Sequence, residues 1–311
     1  MSLPPLSRQP FGATGASVAQ LGFGAGSVGD GAAQAQTLSV IEDLLAAGGN
    51  LLDTAQIYGG SEEFIGRTLA HRRKDFVLVS KCGHHEILPD GRMRSLAISM
   101  RDIDQALQRT HCDHLDAMLL HSYDLDRLLQ GDAIAVLAQA KAQGKIRALG
   151  YSGDNANALA AAQIPEIDVL EMSLNLLDHY NIHTVLPVAR SRHVGVIAKR
   201  PLANAVWRMV NWPADQVSVH HVEYLRRWRV MAPALTDLLG RYPDPSALAL
   251  RFTLSIPGVH VAIASTNNPA SMQANIAAAR LGPLTVADYN EILAAQQQAT
   301  AAEGRAWPSL N

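Results

Sequence analysis

The chain has 311 residues, 48% of them hydrophobic, which is enough for one large core or two modest ones. A formal net charge of −2 gives no electrostatic drive toward nucleic acid or an anionic membrane. The two cysteines, Cys82 and Cys112, form neither a redox CxxC nor a metal knuckle and fit a reducing compartment as buried small hydrophobes. Residues 1–10 hold no apolar run of leader length, and no window nears the roughly 18 apolar residues of a membrane span. The expectation is a cytoplasmic protein without membrane or nucleic-acid partners, a monomer or weak homo-oligomer.

Leu6 to Phe11 and Val18 to Leu21 flank Gly12-Ala13-Thr14-Gly15 and predict an N-terminal hairpin. Leu21 to Gly26 reads as a strand, Ala32 to Ala47 as an Ala-rich helix, and Asn50 to Leu52 as a short strand delivering Asp53. A Gly-rich turn carries Tyr58, and a helix runs from Ser61 to about His71 with Phe64, Ile65 and Leu69 on one face. Asp75 to Lys81 is a strand ending in a lysine; Met93 to Thr110 reads as a helix through Leu96, Met100, Ile103 and Leu107. His114 to His121 is a strand ending in a histidine, and Asp132 to Gln143 is a helix stopped by Gly144. Strands then follow at 146–152, 167–172, 194–199 and 260–264, with helices at 155–162, 180–193, 245–254 and 271–280. Residues 201–239 predict an active-site loop followed by a longer helix, and Leu284 to about Ala302 a final one.

The alternation comes close to eight strand–helix pairs after a small hairpin, with the continuous apolar strands of a buried parallel sheet. It predicts a single (β/α)8 barrel domain over 1–311, with an N-terminal β-hairpin and an extra C-terminal helix. Gly24-Ala25-Gly26-Ser27-Val28-Gly29 also matches G-x-G-x-x-G, with Glu42 and Asp43 near the spacing of a ribose-binding acid. That fingerprint requires a switch-point sheet, whereas polar strand ends are spread along this whole chain.

Strand ends and adjoining turns deliver Asp53, Tyr58, Lys81 and His121, and ligands gather at that end of a parallel barrel. A tyrosine with its ordinary pKa of about 10 is a poor acid near neutrality unless a cation favours its phenolate. Lys81 can supply the cation, Asp53 can hold the ammonium, and His121 can orient a carbonyl oxygen. Taken singly, each residue is more readily structural, Lys81 and Asp53 as a barrel-end salt bridge and His121 as a satisfied core histidine; together, at successive strand ends of a barrel, they favour chemistry.

The run Asp53-Thr54-Ala55-Gln56-Ile57-Tyr58-Gly59, followed by Ser61-Glu62, resembles the signature of the aldo-keto reductases. Ser80-Lys81 and Leu119-Leu120-His121 match its other landmarks, and the resemblance extends from Phe11 to Asn275. It implies a barrel using NADP(H) or NAD(H) without metal or flavin. Tyr58 would be the general acid in carbonyl reduction, Lys81 its activator, Asp53 the partner of Lys81, and His121 the residue that positions the substrate oxygen. In the alcohol-oxidising direction Tyr58 would be the base.

The implied cofactor positions match less completely. Ser152 falls at a carboxamide-binding serine, with Gly153 in place of the usual asparagine. Glu171 stands where a glutamine is common, and Lys199 where an aromatic often stacks on the nicotinamide; Pro201 and Leu202 keep the following loop. Ser265, Thr266 and Asn267 lead into a helix whose N-terminus suits phosphate, and Ser271 and Asn275 continue that face. The same residues would cap the helix in any case. No lysine or arginine precedes Arg280 here to meet a 2′-phosphate, which favours an alternative NAD-dependent sugar or polyol dehydrogenase, unless Arg200 or Arg241 folds over. The altered nicotinamide positions also raise a nucleotide-sensing barrel with little turnover, like the potassium-channel β-subunits of the family. The substrate is a small carbonyl compound or alcohol; His84, His85, Trp207, Trp212 and Trp307 are candidates for its pocket mouth or ordinary loop packing. Adjacent His220 and His221 point apart on a helix and make a poor metal pair.

Overall fold

The computed structural model describes residues 4–26, 28, 32–87 and 93–310. A two-stranded antiparallel hairpin, β1 (Arg8–Pro10) and β2 (Ser17–Ala19), precedes the barrel. Then come β3 (Leu21–Gly24), α1 (Ala32–Ala46), β4 (Leu51–Asp53), α2 (Ser61–Leu69) and β5 (Val77–Cys82). A second hairpin, β6 (His85–Ile87) and β7 (Met93–Ser95), leads to α3 (Met100–Thr110) and β8 (Leu115–His121). After α4 (Leu125–Gln130) and α5 (Asp132–Ala142), the chain runs through β9 (Ile146–Ser152), α6 (Asn155–Gln163) and β10 (Val169–Ser173). Short α7 (Tyr180–Thr184) and α8 (Leu186–Ser191) bring it to β11 (Gly195–Lys199). The remainder is α9 (Val219–Met231), α10 (Thr236–Arg241), α11 (Pro245–Ser255), β12 (Val261–Ala264), α12 (Pro269–Arg280) and α13 (Val286–Glu303).

Strands β3, β4, β5, β8, β9, β10, β11 and β12 pair in parallel in that order and close on β3. Strand side chains alternate between faces, so one parity fills the barrel. Leu51, Val77, Val79, Ala117, Leu119, Ala148, Val169, Ile197 and Val261 belong to one apolar interior cluster. Two residues further along the same strands stand Asp53, Lys81, His121, Glu171 and Lys199. The parity that packs the interior therefore also aims the polar end groups into the barrel mouth. The opposite parity meets the helices in a second, larger apolar cluster.

The first hairpin closes the other end of the barrel. Phe11 joins the interior cluster, and Ala13 N donates to His193 O at 2.9 Å. Gly12 has φ 55°, and a Cβ there would come within 2.3 Å of Gly195 N, so only glycine allows this approach.

Two expected helices differ. The helix expected from Met93 begins only at Met100: Met93–Ser95 pairs with β6, and Leu96 is 44% exposed rather than on a buried face. The stop signal is local, because Asp102 Oδ2 accepts from both Ser99 N (2.8 Å) and Ser99 Oγ (3.0 Å). The helix expected over 180–193 is broken at Val185, where Pro187 in the first turn of α8 cannot donate to a continuous ladder. Ser27 and Gly29 of the glycine hexamer lie outside the described residues. The strand before it belongs to a closed barrel, which removes the switch-point crevice that the fingerprint requires.

Candidate active site

Asp53 ends β4, and the turn after it is tied to its neighbour: Thr54 N donates to Val79 O at 2.9 Å and Gln56 N to Lys81 O at 3.0 Å. Thr54 Oγ1 and Ser61 Oγ are hydrogen-bonded at 2.7 Å across the turn, and Gly60 at φ 75° starts α2. These bonds fix Tyr58 over the barrel mouth. Lys81 is fully buried; its Nζ donates to Asp53 Oδ1 and Oδ2, both at 2.6 Å, and to Thr54 O at 3.1 Å. The same Nζ lies 5.1 Å from the Tyr58 ring centroid and 3.3 Å from Glu171 Oε2. The His121 ring meets the Tyr58 ring edge-on at 5.7 Å. The structure thus brings Asp53, Tyr58, Lys81 and His121 together at one end of the barrel.

Burial pulls Lys81 toward neutrality, but the Asp53 and Glu171 carboxylates outweigh it and hold the ammonium charged well above the lysine range. Burial raises Tyr58 above its ordinary value; Lys81 opposes this, while Asp53 and Glu171 add to it. At neutral pH the phenol carries its proton. Burial, then the Lys81 charge, pushes His121 down to about 2, so it works as a neutral imidazole. Its Nδ1 is buried without a hydrogen-bond partner. His84, whose pKa is lowered by burial and then by His85, stacks at a tilt 4.7 Å from His121.

Asp53, Tyr58, His84 and His121 line one end of a cavity of ≈ 800 Å³, with Lys81 buried behind them. Ser152, Glu171, Lys199, Pro201, Leu202, Ser265, Thr266, Ser271 and Asn275 also line it; exposed Asn267 does not. Ser152 Oγ donates to Glu171 Oε1 at 3.2 Å, and Glu171 Oε2 is paired with the Lys81 ammonium. Gly153 is explained by packing, since a Cβ would stand 2.6 Å from the Tyr151 ring. Lys199 Nζ is held by Asp154 at 3.0 Å. Asn268 caps α12, accepting from Ala270 N at 2.9 Å and Ser271 N at 3.4 Å.

At the pocket mouth, His84 lines the cavity, and His85 instead pairs with Asp124 at 2.9 Å. The expected tryptophans do not line it. Trp207 donates to Ser246 Oγ at 3.2 Å, Trp212 is exposed, and Trp307 is buried between Glu303 and the Arg226 and Arg227 guanidiniums. Arg241 is engaged with Asp288 (2.9 Å) and Glu291 (2.6 Å), away from the cavity. Arg200 does line it, bonded to Leu310 O. Arg208, His220 and His221 also reach the cavity; Arg208 was not singled out from the sequence, and it makes no ion pair among the described residues. The loop that brings Arg208 in turns through Asn204 (φ 54°) and Ala205 (φ 52°), a conformation that the local sequence does not announce.

Among the described residues, no group of three His, Cys, Asp or Glu side chains is arranged to hold a metal ion, and no helix is long and apolar enough to cross a membrane. The family model for the aldo/keto reductase family matches residues 20–297. An L-galactose dehydrogenase from Arabidopsis thaliana is 29% identical over 62% of this chain, and the match spans 64% of that protein's length. An NADH-specific methylglyoxal reductase from Escherichia coli (strain K12) is 26% identical over 63% of this chain and 68% of that protein. The structure of an aldo/keto reductase from Klebsiella pneumoniae in complex with NADP and acetate shares the fold, with TM-score 0.70 and 23% identity over 96% of each chain.

Proposed function

Because this chain belongs to the aldo/keto reductase family, we propose that it transfers hydride between a nicotinamide cofactor and an aldehyde or ketone, or the corresponding alcohol, with Tyr58 as general acid or base. The observation that carries this reading is the buried Lys81–Asp53 pair beneath a tyrosine whose ring abuts a neutral histidine. The cavity suits the cofactor: Ser152 and buried Glu171 line it side by side, and the capped start of α12 faces it through Ser271 and Asn275. When bound, the reduced nicotinamide supplies the hydride. His121 and the Tyr58 hydroxyl orient the substrate oxygen, and Tyr58 gives it a proton as the carbon is reduced. In the reverse direction the phenolate takes that proton from the alcohol. Lys81, kept charged by Asp53, favours the phenolate that forms.

The substrate is a small polar carbonyl compound, hydroxy-aldehydes and sugars included. His84, His121, Asn204 and Arg208 line the cavity, and no tryptophan does. The Ser265–Asn275 wall offers only neutral side chains to a 2′-phosphate, so NAD(H) is accepted as well as NADP(H). Titration with NADPH and NADH, read by tryptophan quenching, should give affinities within tenfold of one another. NADPH binding more than tenfold tighter, about 1.4 kcal/mol, would overturn that cofactor reading. The carbonyl reading itself fails if no member of a carbonyl panel is reduced with either cofactor.

A further inference from the structure

The loop after β11 has an uncommon backbone. Arg200 (φ 54°), Ala203 (φ 43°), Asn204 (φ 54°) and Ala205 (φ 52°) all lie in the left-handed region, which residues with a Cβ seldom adopt. Arg200, Pro201, Leu202, Asn204 and Ala205 line the cavity from this loop. Such a conformation persists only where its surroundings impose it. Part of the restraint is internal: Ala203 N donates to Arg200 O at 2.8 Å, and Ala205 N to Leu202 O at 2.7 Å. Another part comes from the chain beyond α13, because the Arg200 guanidinium donates to Leu310 O and lies 3.5 Å from Ser173 Oγ. We propose that residues 307–310 form a strap which, through Arg200 as a positioning residue, holds the loop of residues 200–205 in the form that binds the nicotinamide cofactor. The proposal rests on the reading of the cavity as the cofactor site.

The strap is anchored at every residue. Trp307 is buried, and its Nε1 donates to Glu303 Oε2 at 2.7 Å. Pro308 O accepts from the buried Arg227 guanidinium at 2.6 Å. Ser309 N donates to Asn155 Oδ1 at 2.8 Å, Asn155 Nδ2 donates back to Ser309 O at 2.9 Å, and Ser309 Oγ donates to Asp178 Oδ1 at 2.6 Å. Leu310 N donates to Asp178 Oδ2 at 2.9 Å, and Leu310 O accepts from Ser173 Oγ at 2.9 Å as well as from Arg200. Asn155, Ser173 and Asp178 stand at or just beyond the C-terminal ends of β9 and β10, so the strap is pinned to the barrel end that carries the site. Asp154, which holds Lys199, is fixed without the strap: it accepts from Ser173 N and Asn181 Nδ2, each at 2.7 Å. Arg200 is therefore the route from strap to cavity. When the strap detaches, the loop relaxes toward ordinary backbone conformations, and cofactor affinity falls with the fraction that remains competent to bind. Once the cofactor is bound the loop is back in place, and Tyr58, held by its own turn, is unaffected.

The test uses Ser309→Ala and Asn155→Gly, which remove anchors outside the cavity; glycine suits the φ of 58° at position 155. Each is made in wild type and in Arg200→Met, and folding is checked by circular dichroism and thermal melting. Isothermal titration calorimetry gives the Kd for NADH and NADPH, and single-turnover reduction of an aldehyde at saturating cofactor gives the rate of the chemistry. The proposal expects Kd to rise by about fivefold or more in Ser309→Ala and in Asn155→Gly, with the single-turnover rate within about twofold of wild type. In Arg200→Met, whose Kd is already raised, the same substitutions should change Kd by less than about twofold. Lower melting temperatures with an unchanged Kd would make the strap purely structural and overturn the proposal. Equal effects in the two backgrounds would overturn it too, because the strap would then act around Arg200. Failure of the wild type to bind either cofactor would be a different result, overturning the cofactor reading and this proposal with it.

Discussion

At the scale of single residues, the site depends on a charge that burial alone would not allow. Lys81 is fully enclosed, and an ammonium survives there because Asp53 and Glu171 surround it. Lys81→Met should leave two carboxylates buried without a counter-ion and cost about 3–5 kcal/mol. Urea unfolding reads this as a lower midpoint at unchanged slope. A loss under about 1 kcal/mol would mean that the two carboxylates do not both depend on Lys81. Asp53, Lys81 and His121 were legible in the sequence because each polar residue ends an apolar strand run, and the turn motif marked Tyr58. The contact of Glu171 with Lys81 was not, because it crosses the barrel mouth between strands that are not neighbours in the sheet. The aromatic candidates misled for a related reason: Trp207 and Trp307 pack among helices, and composition cannot tell a pocket wall from helix packing.

At the scale of elements, periodicity located the barrel strands and most helices, and local chemistry overruled it at two places. Leu96, Met100, Ile103 and Leu107 keep helical spacing, yet the helix starts at Met100 because the side chain of Asp102 closes on Ser99. The residues before it form β7 against β6 instead. A Ser-x-x-Asp pattern was present to be read there; the apolar stripe concealed it. Asp102→Ala removes the acceptor for Ser99 N and an acid from the first turn, and should cost about 1 kcal/mol in thermal or urea unfolding. An unchanged midpoint would show that α3 is held by packing alone. Pro187 is the second case: its break of the expected 180–193 helix follows from proline's missing donor.

At the scale of the whole molecule, eight parallel strands give the chain two ends with different work. The hairpin closes one with Phe11 and the Gly12–Gly195 contact, which serves stability. At the other end, strand parity carries the interior apolar layers into Asp53, His121, Glu171 and Lys199, which line the cavity, and Lys81, buried behind them. Repeated alternation made this architecture readable, whereas the inward loop of Arg208 depends on backbone geometry that no residue pattern specified. The central claim is that Tyr58 supplies the proton as hydride is transferred. It is tested most directly by single-turnover stopped flow: protein loaded with reduced nicotinamide is mixed with a reactive aldehyde, and cofactor oxidation is followed in wild type and Tyr58→Phe. The account predicts rapid oxidation by wild type, and in Tyr58→Phe oxidation slowed by about 10²–10⁴-fold with cofactor affinity little changed. Oxidation at the wild-type rate in Tyr58→Phe would contradict it.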